Sequence, residues 1–229
     1  LLPRMRPVHR LAVTTTLAAS RCLGLVCRGA TGAPRQQLLT RTMGGASIVH
    51  DVAGEGYAIA QFPARSDNYG FLLHDAATGA TAAIDTPEVA PILAALRSKE
   101  WTLTHILNTH HHHDHAGGNA ELRRLFPEIQ IVAPRTEVAE IGHVDTPVGH
   151  GDAVAVGSLA LQVIDVGGHT LGHVAYYAPQ ANAAFVGDAI FAMGCGRMFE
   201  GTYPQFHASL ARLAALPDDT ALYCAHEYT

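Results

Sequence analysis

The chain has 229 residues, 48% of them hydrophobic and 7% aromatic, which is enough for one substantial core, and its net charge is −5 with histidine neutral. Seven arginines precede Met43 without a single acid, leaving eight basic residues against twenty acids in the remainder; that net −12 excludes a nucleic-acid-binding face. Arg21 interrupts the one apolar run that approaches membrane-spanning length, and Cys22, Cys27, Cys195 and Cys224 are too scattered for a disulfide framework.

Residues 1–43 are Arg-rich, contain Ser, Thr and Ala, and carry no acid, which is the composition of an organelle transit peptide. A secretory signal centred on LAVTTTLAAS is the alternative, but three threonines weaken that centre and Arg21, Arg28, Arg35 and Arg41 continue the basic pattern beyond it. A mitochondrial address is therefore expected, with a plastid as the other choice, and Met43 is a candidate internal start. The catalytic domain is expected over 44–229, as a monomer with no nucleic-acid or membrane partner. With its first methionine at Met5 and its last residues CAHEYT, the chain reads as a partial sequence.

ASIVHDV (46–52), GYAIAQF (56–62), GFLLHD (70–75) and TAAID (81–85) are short apolar runs parted by Gly, Asn and Asp, which predicts four consecutive strands. VAPILAALRS (89–98) repeats at helical spacing. LTHILNT (103–109) predicts a strand, and Asn119 is the expected N-cap of the helix in GGNAELRRLF (117–126). Strands follow at IQIVAP (129–134), LALQVIDV (159–166), HVAYYA (173–178) and NAAFVGD (182–188), then the helix FHASLARLAAL (206–216) and the strand ALYCA (221–225). Without internal repeat or linker, these elements predict one α/β domain with strand-rich halves around intervening helices.

Chemistry gathers where strands end. THHHHDHAGGN (109–119) sets five of the fifteen histidines beside an aspartate, and a run in mid-chain with an acid in it is not a purification tag. In an extended segment His110 and His112 share a face and can converge on one ion, while His111 and His113 point away. Asp114 and His115 can swing to a second ion as the chain turns at Gly117 and Gly118. Later strand ends offer His169, Asp188 and His226. Alone, each is more simply a structural histidine or a turn aspartate; in series with the cluster they read as a ligand set. His173 is expected to support the ligand loop and Asp85 to orient a ligand. For His50, His74, His105, His143, His150 and His207 the sequence alone brings no convergent ligand residues into view.

THHHHDHAGGN, GGHTLGH, FVGDAIF and AHEYT together resemble the metal-binding series of the metallo-β-lactamase superfamily; GCGRMFEGT with HEYT, and SDNYGFLL, resemble its hydroxyacylglutathione hydrolase (glyoxalase II) branch. The resemblance runs from about Gly56 to the last residue. It implies an α+β, four-layer αβ/βα sandwich with two divalent ions on the sheet edge, zinc first and iron or manganese otherwise. His110, His112 and His169 would hold the first, Asp114, His115 and His226 the second, and Asp188 would bridge them; Asp114 and Asp188 also stand as the catalytic residues. Two ions sharing a water would lower its pKa towards about 7, and hydroxide attack on a glutathione thioester needs no protein nucleophile, so Cys195 and Cys224 are read as structural. Arg197, Met198, Phe199 and Tyr228 fall where the family contacts the glutathione moiety, with Arg197 at a position often held by lysine and Phe199 lacking the hydroxyl some members have. The family continues past HEYT into a further helix and a helical region, which is missing here. Rival expectations are a persulfide dioxygenase with one iron, a lactam or nucleic-acid hydrolase, and a metal-binding fragment without turnover.

Overall fold

A computed structural model describes residues 48–229; the transit-peptide expectation for 1–43, with Met43, lies outside the described residues. Strands β1 (His50–Gly54), β2 (Tyr57–Ala64), β3 (Asn68–Asp75) and β4 (Thr81–Ile84) form the expected antiparallel meander. Helix α1 (Val89–Lys99) then crosses over to β5 (His105–Leu107), which lies parallel to β4. Helices α2 (His113–Ala116) and α3 (Asn119–Leu125) lead to β6 (Gln130–Pro134), and α4 (Val138–Ile141) leads to β7 (Thr146–Val148). These seven strands make one sheet in chain order.

The second sheet is built from the rest of the chain. Strands β8 (Ala153–Val156), β9 (Leu159–Asp165), β10 (Val174–Ala178) and β11 (Ala183–Gly187) are antiparallel neighbours. A small hairpin, β12 (Ile190–Phe191) with β13 (Gly194–Cys195), and helix α5 (Tyr203–Ala214) precede β14 (Ala221–Cys224), which joins β11 in parallel.

The two-residue pleat decides which face each side chain covers. On β3, Phe71 and Leu73 face a core between the sheets, with Leu107, Val132, Tyr176, Phe185 and Tyr223, whereas Leu72 faces outwards against Ile92 and Leu96 of α1. On the second sheet, Tyr176 faces the inter-sheet core and Ala175 and Tyr177 face Leu213 of α5. Helix, sheet, sheet and helix stack as the αβ/βα sandwich. Each such buried apolar side chain contributes roughly 1.5–3 kcal/mol, so this double sandwich is held by its core and not by the helices' own propensity.

Two local expectations fail for physical reasons. Asn119 does not cap α3: it is the helix's first residue, Gly118 precedes it, and its buried amide instead donates to Asn108 Oδ1 at 2.7 Å and accepts from Thr86 Oγ1 at 2.7 Å. A tertiary network outbids the local cap. Strands β7 and β8, helix α4 and the β12–β13 hairpin went unexpected, because each is short and AVAV alternates only alanine with valine.

Candidate metal centre

The carboxyl ends of β4, β5, β6, β9, β11 and β14 meet at one edge of the sandwich, where a mostly open α/β sheet characteristically offers a crevice. Asp85 follows β4, the run 110–115 follows β5, His169 follows β9, Asp188 follows β11 and His226 follows β14. Chain direction alone thus collects residues 141 positions apart in sequence at most.

The seven expected ligands form two clusters that share one carboxylate. His112 Nδ1 lies 3.0 Å from both His110 Nε2 and His169 Nε2. His226 Nε2 and His115 Nε2 lie 3.4 and 3.5 Å from Asp114 Oδ2. Between the clusters, Asp188 turns Oδ2 to His169 Nε2 at 3.3 Å and Oδ1 to both His115 Nε2 and His226 Nε2 at 3.3 Å. A tetrahedral zinc with bonds of about 2.0–2.1 Å spans ligand–ligand edges of about 3.3–3.4 Å, so these separations fit such an ion. Among the described residues, the buried Asp188 Oδ1 and His115 Nε2 also have no hydrogen-bond partner, which an ion would supply.

The outer nitrogen of four of the five histidines is held as well. His115 Nδ1 is 2.8 Å from Asp85 Oδ2, His110 Nδ1 3.0 Å from Thr109 Oγ1, His169 Nδ1 2.7 Å from the Arg197 carbonyl and His226 Nδ1 2.8 Å from Asp67 Oδ1. Such partners fix the tautomer and aim the inner nitrogen. Asp85 sits in the left-handed region at φ 58° and also accepts from the Thr109 N–H and hydroxyl, so it ties β4 to the loop after β5. His173 keeps its supporting role: its Nε2 accepts the Asp188 N–H at 3.0 Å and its ring stacks on His110. At Gly187, φ is +51°, and a Cβ would come within 2.7 Å of His173 and Thr109 side-chain atoms.

Electrostatics differ across the two clusters. Burial pushes His110 well below the ordinary histidine value, the neighbouring imidazoles add to that, and burial lowers His112 and His169 too, so the first cluster offers neutral nitrogens. Burial also opposes charge on His226, but the carboxylates of Asp114, Asp188 and Asp67 prevail and raise it to about 10; Asp85, Asp114 and Asp188 likewise raise His115. Asp188 is pushed up by burial yet held well below the carboxylate range by His115 and His226. The second cluster is arranged for positive charge.

Around the centre, Phe199 packs edge-on against His112 and His169 with centroids 5.7 and 5.2 Å away, and the Arg197 guanidinium lies 5.2 Å over the Phe199 ring. Tyr228 stacks on His226 at 4.8 Å, and Phe191 meets both edge-on. Phe199 and Tyr228 are more than half exposed, and Met198 is half-buried. Sequence reasoning missed Glu137, Asp67 and Asn68; the last donates to Asp114 Oδ2 at 3.1 Å.

The sequence pattern described as the metallo-beta-lactamase superfamily matches residues 68–226, which begins on Asn68 and ends on His226. The chain belongs to the metallo-beta-lactamase superfamily. Among its curated relatives is a protein named hydroxyacylglutathione hydrolase from Erythrobacter litoralis, 56% identical over 171 residues, which are 75% of this chain and 67% of the relative. The chain spans about two thirds of the length of the curated relatives it matches. Among solved structures, ETHE1 from Myxococcus xanthus superposes with a TM-score of 0.66 at 34% identity, over 75% of this chain and 76% of that one. TTHA1623, solved in a di-iron-bound form, superposes with a TM-score of 0.62 at 25% identity, over 70% of this chain and 87% of that one. Family membership and the two His/Asp clusters make this edge a divalent-metal site.

Proposed function

We propose that the protein hydrolyses S-(2-hydroxyacyl)glutathione thioesters, such as S-lactoylglutathione, to glutathione and a 2-hydroxy acid such as lactate, and so serves methylglyoxal detoxification. The observation that carries this reading is Asp188, whose two oxygens face two separate ligand triads at 3.3 Å. Curated relatives 50–56% identical bear the name of this activity.

His110, His112 and His169 would hold one ion, Asp114, His115 and His226 the other, and Asp188 both; zinc suits the nitrogen-rich set, and the di-iron form of TTHA1623 supports iron as an alternative. When bound, such a pair supplies Lewis acidity and a water acidified towards neutral pH. The protein's own residues do the rest. Asp85 and Asp67 keep the inner nitrogens of His115 and His226 turned to the centre. Phe199 and Tyr228 pack against His169 and His226 and so wall the two triads. Arg197, at the exposed rim, supplies positive charge for the glutathione carboxylates of an anionic substrate approaching an acidic domain. A thiolate leaves without needing a protein acid.

The test is zinc-loaded protein with S-lactoylglutathione, following thiol release and lactate formation. Equimolar release is expected, and Arg197→Ala should raise KM about tenfold with kcat little changed. No thiol release, or oxygen uptake with glutathione persulfide, would overturn the hydrolase reading in favour of a persulfide dioxygenase. The complete second triad, Asp114–His115–His226, favours two ions over that enzyme's one.

Residues 1–43 are proposed as a mitochondrial leader on composition alone. A reporter fused to them should enter the organelle and be cleaved; a secreted reporter would refute this.

A further inference from the structure

Glu137 ends the short 3-10 turn Arg135–Glu137 beyond β6 and is buried, 4% exposed. A buried carboxylate is costly unless its lone pairs are filled, and here each oxygen serves a different loop. Oε1 accepts the Thr170 hydroxyl at 2.6 Å and the Gly172 N–H at 2.9 Å, in the loop after β9. Oε2 accepts the His111 N–H at 2.7 Å, in the loop after β5; His111 Nδ1 is 3.0 Å away but off the line of a hydrogen bond. His111 thus stays out of both triads, and its main-chain N–H is what ties this loop to Glu137.

Those loops belong to different sheets. One carries His110 and His112, the other His169, so the first triad exists only where the two loops hold a fixed separation. The close packing has a second signature: a Cβ on residue 172 would stand 2.7 Å from Glu137 Cγ and 2.8 Å from its Oε1, and glycine is the residue there.

We propose that Glu137 is a positioning residue that sets the spacing of the loops bearing His110, His112 and His169, and thereby the affinity of the first metal position. The proposal rests on the reading that these three histidines hold an ion. Its partners His111, Thr170 and Gly172 adjoin the ligands along the main chain, and the His111 ring also meets the His112 ring edge-on at 5.0 Å, so the coupling is geometric and no proton need move.

The deciding variant is Glu137→Gln. In either orientation its amide NH2 faces a main-chain N–H, so one loop is released while volume is kept. Zinc release to a chromophoric chelator should show two phases in the parent protein, the phase missing from His226→Ala being the second position. In Glu137→Gln the first position should lose about 10- to 100-fold in affinity, and the second should stay within a few-fold of the parent. Cobalt-loaded protein should show the change in the visible band of the first ion. Asp75→Asn, which removes a buried carboxylate remote from the centre, serves as the control for general destabilisation and should leave both phases alone. Equal weakening of both positions, or a fall in thermal midpoint with unchanged first-phase release, would overturn the proposal. Should Glu137→Gln not fold, Thr170→Val removes one of the three bonds, and first-phase release must still quicken several-fold; unchanged release there overturns it as well. A parent chain that binds no zinc overturns both this and the metal reading, whereas one that holds zinc but leaves S-lactoylglutathione intact overturns only the hydrolase reading.

Discussion

Asp67 and His226 stand 159 residues apart in sequence, yet Asp67 Oδ1 lies 2.8 Å from His226 Nδ1. The turn between β2 and β3, with the start of β3, grips the segment that follows β14: Tyr69 N–H donates to the Ala225 carbonyl at 2.7 Å, the Tyr69 hydroxyl to Glu227 at 2.5 Å, and Glu227 N–H to the Asp67 carbonyl at 2.9 Å. The main chain is therefore fixed without the carboxylate, which is left to orient the imidazole. Asp67→Ala should lower affinity at the second metal position about tenfold and spare the first. Chelator competition reads this directly, and equal losses at both positions would count against it.

Asp188 divides its oxygens between the triads, so its loss should be felt twice. Asp188→Asn is expected to weaken both positions, because an amide offers only one oxygen and no charge, while His226→Ala should empty the second position and leave the first filled. Elemental analysis should give close to two, one and fewer than one ion per chain for parent, His226→Ala and Asp188→Asn. A single tight ion in the parent, untouched by Asp188→Asn, would sink the two-ion reading.

Asp75 lies at the far end of the sandwich from the metal edge, where it accepts the Ser158 N–H at 2.6 Å, the Thr78 hydroxyl at 2.6 Å and the Ala77 N–H at 3.0 Å. Above all the Ser158 N–H, then the Thr78 hydroxyl, hold its carboxyl well below the usual range. A folded value below the unfolded one makes a contribution that is present above the unfolded pKa, near about 4, and is lost as pH falls through the folded value. Asp75→Asn should thus lower the thermal midpoint by roughly 3–8 °C at neutral pH and flatten the loss of stability below pH of about 4. Thermal melts at neutral and acid pH give the comparison; parallel curves for parent and variant would refute it.

Gly187 precedes Asp188 in a conformation that disfavours any side chain, with His173 and Thr109 occupying the space a Cβ would need. Gly187→Ala should cost about 1–3 kcal/mol from backbone strain alone, more if the clash is not relieved, and should also reduce bound metal by displacing Asp188. Denaturant unfolding with metal analysis on the same sample separates the effects; full metal content at reduced stability would show that Asp188 is placed independently of this turn.

The metal edge was largely legible in the sequence because ligands sit at strand ends, and strand ends follow from periodicity. His110 to His115, His169, Asp188 and His226 all announce themselves by residue type beside an apolar run, and even Asp85 does. Glu137, Asp67 and Asn68 do not, since an acid or amide next to a turn has an ordinary local explanation and only the sheet-to-sheet packing gives it another. Asn119 fails in the opposite sense: its local explanation was a helix cap, and its amide was taken up by Asn108 and Thr86. The four-layer order came through resemblance, because alternation shows that a strand has two faces without saying what covers each.

Each sheet is contiguous in the chain, and four of the seven ligands hang from the first and three from the second. The ions would therefore clasp one mouth of the sandwich while Asp75 and Ser158 fasten the other. A chain stripped of metal should open as a book does, with Asp75 at the spine: amide exchange should quicken first at the strand ends around Leu107, Val166 and Gly187 and last around Asp75 and Ser158. Uniform loss of protection along β3 and β9 would show that the binding has no spine.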